Sequence, residues 1–442
     1  MATRGLDVLT VDDVLERAGA GRFQRRLLGI FGLVWAADAM QVLAVGFTSV
    51  SIASTFGISV PEALQIGTLF FLGMLIGAAL FGRLADRFGR RRVLLVTVIC
   101  DAIFGLLSVF APNLWVLFLL RFLTGMAVGG TLPVDYAMMA EFLPARNRGR
   151  WLVILEGFWA VGTVAVALAA WAASIYLTSD AWRWIFAATA LPALIGIFLR
   201  FWVPESPLHL QRTGEHAELR RTLNRVLQVN GKPQLGDGES ISPPVTTRAG
   251  SLFSPSLRRR TLAILCVWFL VSVSYYGVFT WLPGRLAEQG FGYVRGYGFL
   301  VLVAFAQLPG YALAAYGVEA IGRKPTLIGF LLLSAAGCAL FIVATDVLLI
   351  GGAILLMSFA LLGTWGALYA FTPELFPTAL RGTGMGAAGS VARFGGLLAP
   401  SALAVVIAQD FSLAIALFAG LLIVGAVAAS FVDTETRHAV LT

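Results

Sequence analysis

The stretch GRLADRFGRR at residues 82–91 decides the fold, because the other half of the chain repeats its last three residues. Gly89-Arg90-Arg91 recurs as Gly322-Arg323-Lys324, at an offset of 322 − 89 = 233 residues. The same offset relates three further pairs: Trp35 with Trp268, Glu141 with Glu374, and Arg148 with Arg381. Arginine-rich loops that recur in register within an apolar chain predict two duplicated membrane halves related by a pseudo-two-fold axis.

The composition supports a membrane protein. The 442 residues are 58% hydrophobic and only 13% charged, whereas about a quarter of the residues of a soluble domain are charged. Apolar runs long enough to cross a bilayer of about 30 Å recur along the chain. The sequence therefore predicts an all-α membrane protein with twelve transmembrane helices in two pseudo-symmetric six-helix bundles. The predicted spans are 27–49, 63–82, 93–111, 114–134, 151–173, 182–203, 261–283, 296–317, 325–344, 347–371, 384–407 and 411–432.

Basic residues give the predicted orientation. All but five of the 32 Lys and Arg residues belong to the termini and the even-numbered loops, which places both termini in the cytoplasm. The net charge of +8 reflects this bias and does not indicate nucleic-acid binding. The predicted parts are a cytoplasmic N-terminal segment (1–26), a first bundle (27–203), a cytoplasmic linker (204–257), a second bundle (258–432) and a cytoplasmic tail (433–442). Helical spacing predicts a helix at 215–227 within the linker.

The loop at residues 82–91 also carries a family signature. Its glycines permit a tight turn, and Asp86 can cap a helix or pair with an arginine. This pattern resembles the loop signature of the major facilitator superfamily, and the resemblance covers nearly the whole chain. It implies a latch on the cytoplasmic face that releases when the two halves rock. In the second copy Glu319 and Ala320 replace Asp86 and Arg87, so a weaker latch is expected there.

Three further loops resemble the sugar-porter and organic-ion branches of that superfamily. They are EFLPARNRGR at 141–150, PESP at 204–207 and ELFPTALRG at 374–382. In those branches the loop acids and arginines form cytoplasmic ion pairs. The resemblance implies a cytoplasmic gate made of Asp86, Arg87, Arg90, Glu141, Arg148, Glu205, Glu374 and Arg381.

Two segments favour the organic-ion branch. GAGRFQ at 19–24 and the seventh predicted helix, which includes Tyr275 and Tyr276, resemble organic cation and anion transporters, synaptic vesicle glycoproteins and bacterial niacin permeases. Hexose porters carry paired glutamines and an asparagine in the seventh helix. This chain has none there, which argues against a hexose substrate.

Three ionisable residues lie near the middle of predicted spans, where transporters place their substrate and coupling ion. Asp38 and Arg121 have opposite charges, and by resemblance to proton-coupled sugar porters Asp38 would carry the proton while Arg121 sets its affinity. A static buried ion pair is the alternative. Arg393 has no acidic partner in its own helix, so it favours an organic anion as substrate; a structural pairing is the alternative there.

Aromatic residues complete the predicted substrate site. Trp159 and Trp365 lie at similar depths in opposite halves, where two indoles can clamp a flat ring by stacking. Packing is the alternative role. Weaker candidates for substrate binding are Tyr275, Tyr276, Gln307 and Tyr369. Three further acids, Asp101, Asp135 and Glu156, are assigned to the inner membrane edge and the cytoplasmic latch.

Together these features predict proton-coupled import of a small aromatic monocarboxylate, with nicotinate the best single substrate. The expected partners are the organic anion and the lipid bilayer of an inner cell membrane, with protons as coupling ion, no cofactor or metal, no nucleic acid, and a monomeric protein. No nucleotide loop, metal cluster or nucleophile–base pair indicates an enzyme. The alternatives are an organic-cation or drug/proton antiporter and a membrane protein that binds a ligand without transporting it.

Overall fold

The computed structural model describes residues 7–144, 148–177, 179–243, 251–286, 292–402 and 410–436. The first half of the chain contains β1 (Asp7–Leu9), α1 (Val11–Ala18), α2 (Arg22–Phe56), α3 (Val60–Phe88), α4 (Arg90–Val109), α5 (Leu114–Glu141), α6 (Arg148–Tyr176) and α7 (Ala181–Arg200). The linker contains α8 (Pro207–Thr213), α9 (His216–Val229) and β2 (Glu239–Ile241). The second half contains α10 (Arg258–Leu286), α11 (Gly292–Phe305), α12 (Gln307–Ala320), α13 (Arg323–Val343), α14 (Val347–Phe371), α15 (Thr378–Ala402) and α16 (Phe411–Ser430).

The architecture is an all-α, multi-pass membrane fold, as predicted. Within the described part of the chain, eleven helical segments are long and apolar enough to cross a membrane. α15 packs between α10 and α3 and completes the second set of six spans. The eighth span is broken into α11 and α12 at Ala306. Pro309 accounts for the break, because it has no N–H to donate to the carbonyl of Phe305 and its ring crowds that carbonyl.

α2 begins earlier than hydrophobicity alone predicts, because polar side chains cap it. α2 begins at Arg22 rather than at residue 27. Gln24 accepts a hydrogen bond from the backbone N–H of Gly21 at 3.1 Å, and Asn230 of the linker accepts one from Phe23 at 2.8 Å. These acceptors satisfy N–H groups that the first turn of a helix leaves unpaired.

The N-terminal segment and the linker form one small unit on the side of the molecule where α4 and α13 begin. β1 pairs with β2 in parallel, with Val8 opposite Ser240. α1 packs on α9, and Arg17 forms an ion pair of 2.8 Å with Glu239. Glu435, near the other end of the chain, accepts a hydrogen bond from the backbone N–H of Arg323 at 2.9 Å. Segments near both ends of the chain therefore lie on the face that carries the linker.

Close helix packing fixes the first bundle. α3 and α5 approach each other so closely that a Cβ atom at Gly129 would overlap the backbone oxygen of Met74. Small residues permit such contacts between membrane helices, where dispersion rather than the hydrophobic effect drives association. This packing sets the position of Met74 on α3 and of Arg121 on α5, both of which matter for the interior.

The two bundles meet on both sides of the molecule's centre. On one side, toward the C-terminal end of α2, the Tyr297 hydroxyl donates a hydrogen bond to the backbone oxygen of Phe47 at 2.7 Å. On the other side, near the C-terminal ends of α5 and α14, the rings of Tyr136 and Tyr369 lie 5.4 Å apart between centroids. These two tyrosines are themselves 233 residues apart, so this contact lies where the pseudo-two-fold axis relates the bundles. A cavity remains between these contacts.

Candidate functional site

A cavity lies between the two bundles. Its lining is mostly aromatic and apolar with a few polar groups, as the lining of small-molecule sites usually is. Helices of both bundles contribute to its wall. The lining residues are Trp35, Met74, Leu132, Glu156, Trp159, Tyr275, Tyr276, Tyr311, Leu362, Trp365, Tyr369, Ala392 and Arg393.

The structure brings six of the seven predicted substrate residues together in this cavity: Arg393, Trp159, Trp365, Tyr275, Tyr276 and Tyr369. Gln307 is different. It is fully buried at the first position of α12, beside the break in the eighth span, and it is not among the described residues that line the cavity. Its position 233 residues after Met74 makes it the symmetry mate of a residue that does line the cavity.

Tyr275 connects the two predicted tryptophans. The indole Nε1 of Trp159 donates a hydrogen bond to the Tyr275 hydroxyl at 2.9 Å. The Tyr275 ring contacts Trp365 edge-on, with 6.0 Å between ring centroids, and Trp365 in turn lies 5.9 Å from Tyr369. Edge-to-face and tilted contacts of this kind hold aromatic rings in defined orientations. The aromatic wall is therefore continuous from α6 of the first bundle to α14 of the second.

Arg393 supplies a positive charge to the cavity. Its side chain is 7% exposed, and its Nη1 donates to the backbone oxygen of Gly389 at 2.7 Å. The Nε atom is buried and has no hydrogen-bond partner among the described residues. A guanidinium whose Nη1 is bonded to a carbonyl and whose Nε has no hydrogen-bond partner can bind a planar carboxylate.

Glu156 supplies a negative or protonatable group to the same cavity. The assignment of Glu156 to the cytoplasmic latch was wrong. α6 begins at Arg148, so Glu156 lies eight residues, or about 12 Å, into the helix. It is 4% exposed, and the Tyr311 hydroxyl lies 3.5 Å from its Oε1. The sequence could have predicted this position, because Glu156 and Trp159 are three residues apart and thus share one face of a helix.

Arg121, the predicted partner of Asp38, is held by Gln41. Arg121 is fully buried, and it donates to the side chain of Gln41 at 2.7 Å and to the backbone oxygen of the same residue at 2.9 Å. Asp38, 1% exposed, lies one helical turn before Gln41. Neither Asp38 nor Arg121 is among the described residues that line the cavity.

Asp101 was also misplaced by the sequence analysis. It lies at the middle of α4, eleven residues after Arg90, and it is 1% exposed. Arg121, of opposite charge, is also buried in the first bundle. Charges in a low-dielectric interior interact more strongly than they do in water. Asp101 is therefore a residue of the bundle interior rather than part of a cytoplasmic latch.

The internal repeat is visible in ion pairs on the face of the bundles that carries the linker. Arg90 of α4 pairs with Glu141 of α5, and Arg323 of α13 pairs with Glu374 at 2.9 Å. These pairs are 233 residues apart and connect elements of the same bundle. Three predicted gate residues, Arg90, Glu141 and Glu374, thus take part in ion pairs within a bundle.

The remaining gate residues fall into four groups. Glu205 accepts hydrogen bonds from the backbone N–H groups of Arg90 and Arg91 at 3.1 and 3.2 Å and so caps α4. Arg148 pairs with Asp12 of α1 at 3.0 Å. Arg87 is exposed at the end of α3. The side chains of Asp86 and Arg381 lie outside the described part of the structure.

Sequence reasoning missed several wall residues, of which Trp35 and Tyr311 are the largest. Trp35 is the symmetry mate of Trp268, whose ring lies 5.3 Å from Trp365, so the repeat offered a signal for it. Tyr311 follows the helix break, and its orientation toward Glu156 depends on that break. Nothing in the sequence alone pointed to it.

Known proteins resemble the chain along most of its length. The Major Facilitator Superfamily profile matches residues 29–400. The niacin transporter NiaP of Acinetobacter baylyi is 36% identical over 391 residues, which cover 87% of this chain and 88% of that protein. Organic cation/carnitine transporter 7 of Arabidopsis thaliana is 30% identical over an alignment that covers 98% of this chain and 96% of that protein.

Solved structures resemble the fold. The proton:xylose symporter XylE bound to 6-bromo-6-deoxy-D-glucose superimposes with a TM-score of 0.76, covers 95% of this chain and 97% of its own, and is 18% identical. An identity this low supports the fold and not the substrate.

Proposed function

Because the chain belongs to the major facilitator superfamily and is a transporter of that type, we propose that it imports a small aromatic monocarboxylate, with nicotinate as the best single substrate, by proton symport and alternating access. The observation that carries this proposal is Arg393, a buried cation that faces a cavity walled by aromatic rings. A bound carboxylate compensates the desolvation of the guanidinium, while the ring of the substrate fills the space beside the indoles of Trp159 and Trp365. The identity to the niacin transporter supports the same substrate.

Proton coupling is proposed for the interior of the first bundle. Asp38 is buried in α2 one turn from Gln41, which holds Arg121. A shift of Arg121 relative to α2 changes the electrostatic potential at Asp38, because charges in a low-dielectric interior interact strongly. A rearrangement of α5 against α2 within the first bundle during the transport cycle can thus alternate the proton affinity of Asp38, which is not among the described residues that line the cavity. The proposal includes a location in the inner membrane of the cell, with both termini of the protein in the cytoplasm.

An organic cation is the second candidate substrate, since Glu156 offers the cavity a carboxyl group. The resemblance to an organic cation/carnitine transporter favours it as well. Arg393 opposes a simple cation, because the two positive charges would share one small cavity. Inhibition of uptake by a panel of organic cations and aromatic acids separates the two candidates.

The test is uptake of radiolabelled nicotinate into proteoliposomes with and without an inward proton gradient. We expect gradient-driven uptake that Arg393→Ala abolishes through loss of binding and that Asp38→Asn uncouples from the gradient. Arg221→Ala, at an exposed position of the linker, is the matched control and should leave uptake unchanged. Unchanged nicotinate binding by Arg393→Ala would reject the substrate assignment, and gradient-independent uptake by the unaltered protein would reject the symport mechanism.

A further inference from the structure

The cavity contains a hydrogen-bond acceptor and two hydrogen-bond donors that have no partner among the described residues. The Oε2 atom of Glu156 is a buried acceptor without a hydrogen-bond partner in the described structure. The same holds for two buried donors, Nε of Arg393 and Nε1 of Trp365. All three side chains line the same cavity. Buried polar groups are nearly always paired, so an unpaired set in one cavity indicates a ligand that carries the complementary groups.

The two charged side chains come from equivalent helices of the two bundles. α6 carries Glu156, and α15, its counterpart at the 233-residue offset, carries Arg393. The symmetry mate of Glu156 is Gly389, whose backbone oxygen holds the Arg393 guanidinium. The duplication therefore presents an acidic group from one bundle and a basic group from the other. Tyr276 and Tyr369 line the same cavity as these two charged side chains.

From this arrangement we infer that Glu156 is a specificity residue that binds a basic ring nitrogen or amine of the substrate, while Arg393 binds its carboxylate. The inference rests on the proposed function and narrows its substrate class to aromatic acids that carry a basic nitrogen. One proton lies between the nitrogen and Oε2 of Glu156. Either the protonated carboxyl donates it to a neutral ring nitrogen, or a protonated ring donates it to the carboxylate.

The same contacts have a consequence for the transport cycle. A substrate held by Glu156 and Arg393 bridges α6 and α15, and so it joins the two bundles that move relative to each other in alternating access. An acid without the nitrogen binds to only one of them and leaves Oε2 unsatisfied. A site built to pair with a polar group rejects an analogue that lacks the group, because the polar atom of the protein stays buried and unpaired.

The experiment compares nicotinate with benzoate, which has nearly the same shape and carboxylate but no ring nitrogen. Affinities are measured by displacement of radiolabelled nicotinate from the purified full-length protein in lipid nanodiscs, or by tryptophan fluorescence for variants that bind weakly. We expect the unaltered protein to prefer nicotinate by roughly 10- to 100-fold, the value of one hydrogen bond to a charged group. Glu156→Leu should abolish the preference, and Glu156→Gln, whose amide can still donate to a ring nitrogen, should keep part of it.

The ratio of the two affinities within one variant does not depend on the fraction of folded protein, so a destabilised variant remains informative. Equal affinities of the unaltered protein for nicotinate and benzoate would overturn the inference, whether or not the variants fold, and would leave the proposed function standing. An unchanged ratio in Glu156→Leu would also overturn it. Absence of binding by both acids would reject the proposed function, and the inference with it.

Discussion

Replacement of Gln41 by methionine tests whether this residue holds Arg121 in the first bundle. Gln41→Met keeps the side-chain length and removes the oxygen that accepts from Nη1 of Arg121 at 2.7 Å. The backbone oxygen of residue 41 still accepts from Nη2 at 2.9 Å, and the rings of Phe70 and Phe186 still face the guanidinium at 4.8 and 4.5 Å. The substitution therefore removes one interaction of Arg121 out of several.

The magnitude follows from two opposing terms. A hydrogen bond to a charged group contributes about 1.5–3 kcal/mol, which Gln41→Met removes. The Nε2 atom of Gln41 is buried without a partner among the described residues, so its removal recovers about 1 kcal/mol. We expect the free energy of unfolding to fall by about 0.5–2 kcal/mol.

Equilibrium unfolding in mixed detergent–SDS micelles, followed by tryptophan fluorescence, measures this change. The control is Gln41→Glu, which retains an acceptor for Arg121 and should lose much less stability. Two results would refute the reasoning: wild-type stability of Gln41→Met, or an equal loss in both variants. In the second case the cost would come from the volume at this position and not from the contact with Arg121.

Three further predictions follow from the packing and the ion pairs. Gly129→Val should destabilise the protein by about 1–3 kcal/mol because its side chain overlaps Met74, whereas Gly29→Ala, which has open space, should be neutral in the same unfolding assay. A double-mutant cycle on Arg323→Gln and Glu374→Gln should yield a coupling free energy of about 0.5–3 kcal/mol, since both side chains are mostly buried and lie 2.9 Å apart; a value near zero would mean that the pair is incidental. Asn230→Ala should speed amide hydrogen exchange in residues 7–18, because Asn230 ties α9 to the residues before α2; unchanged exchange there would show that strand pairing alone holds the segment.

The features of the protein that could be predicted from the sequence are those that depend on local free energy. Each span is a window of about 20 residues whose transfer into the bilayer is favourable whatever its neighbours do, so the spans and the two-bundle plan were readable. The 233-residue repeat gave the symmetry, which the equivalent ion pairs of Arg90 and Arg323 display. Arg393 and Trp159 were identifiable because a charge or an indole at mid-membrane depth is costly or unusual wherever the helix packs.

Tertiary structure alone decided which side chains face one another. Hydrophobicity places a residue at a depth, but the rotation of each helix about its axis depends on close packing with several neighbours at once, as α3 and α5 show at Gly129. That rotation put Glu156 into the cavity rather than at the membrane edge, and it brought the side chain of Gln41 to Arg121. Which side chains contact each other depends on many packing contacts throughout the bundle. It therefore cannot be predicted from a single segment of the chain.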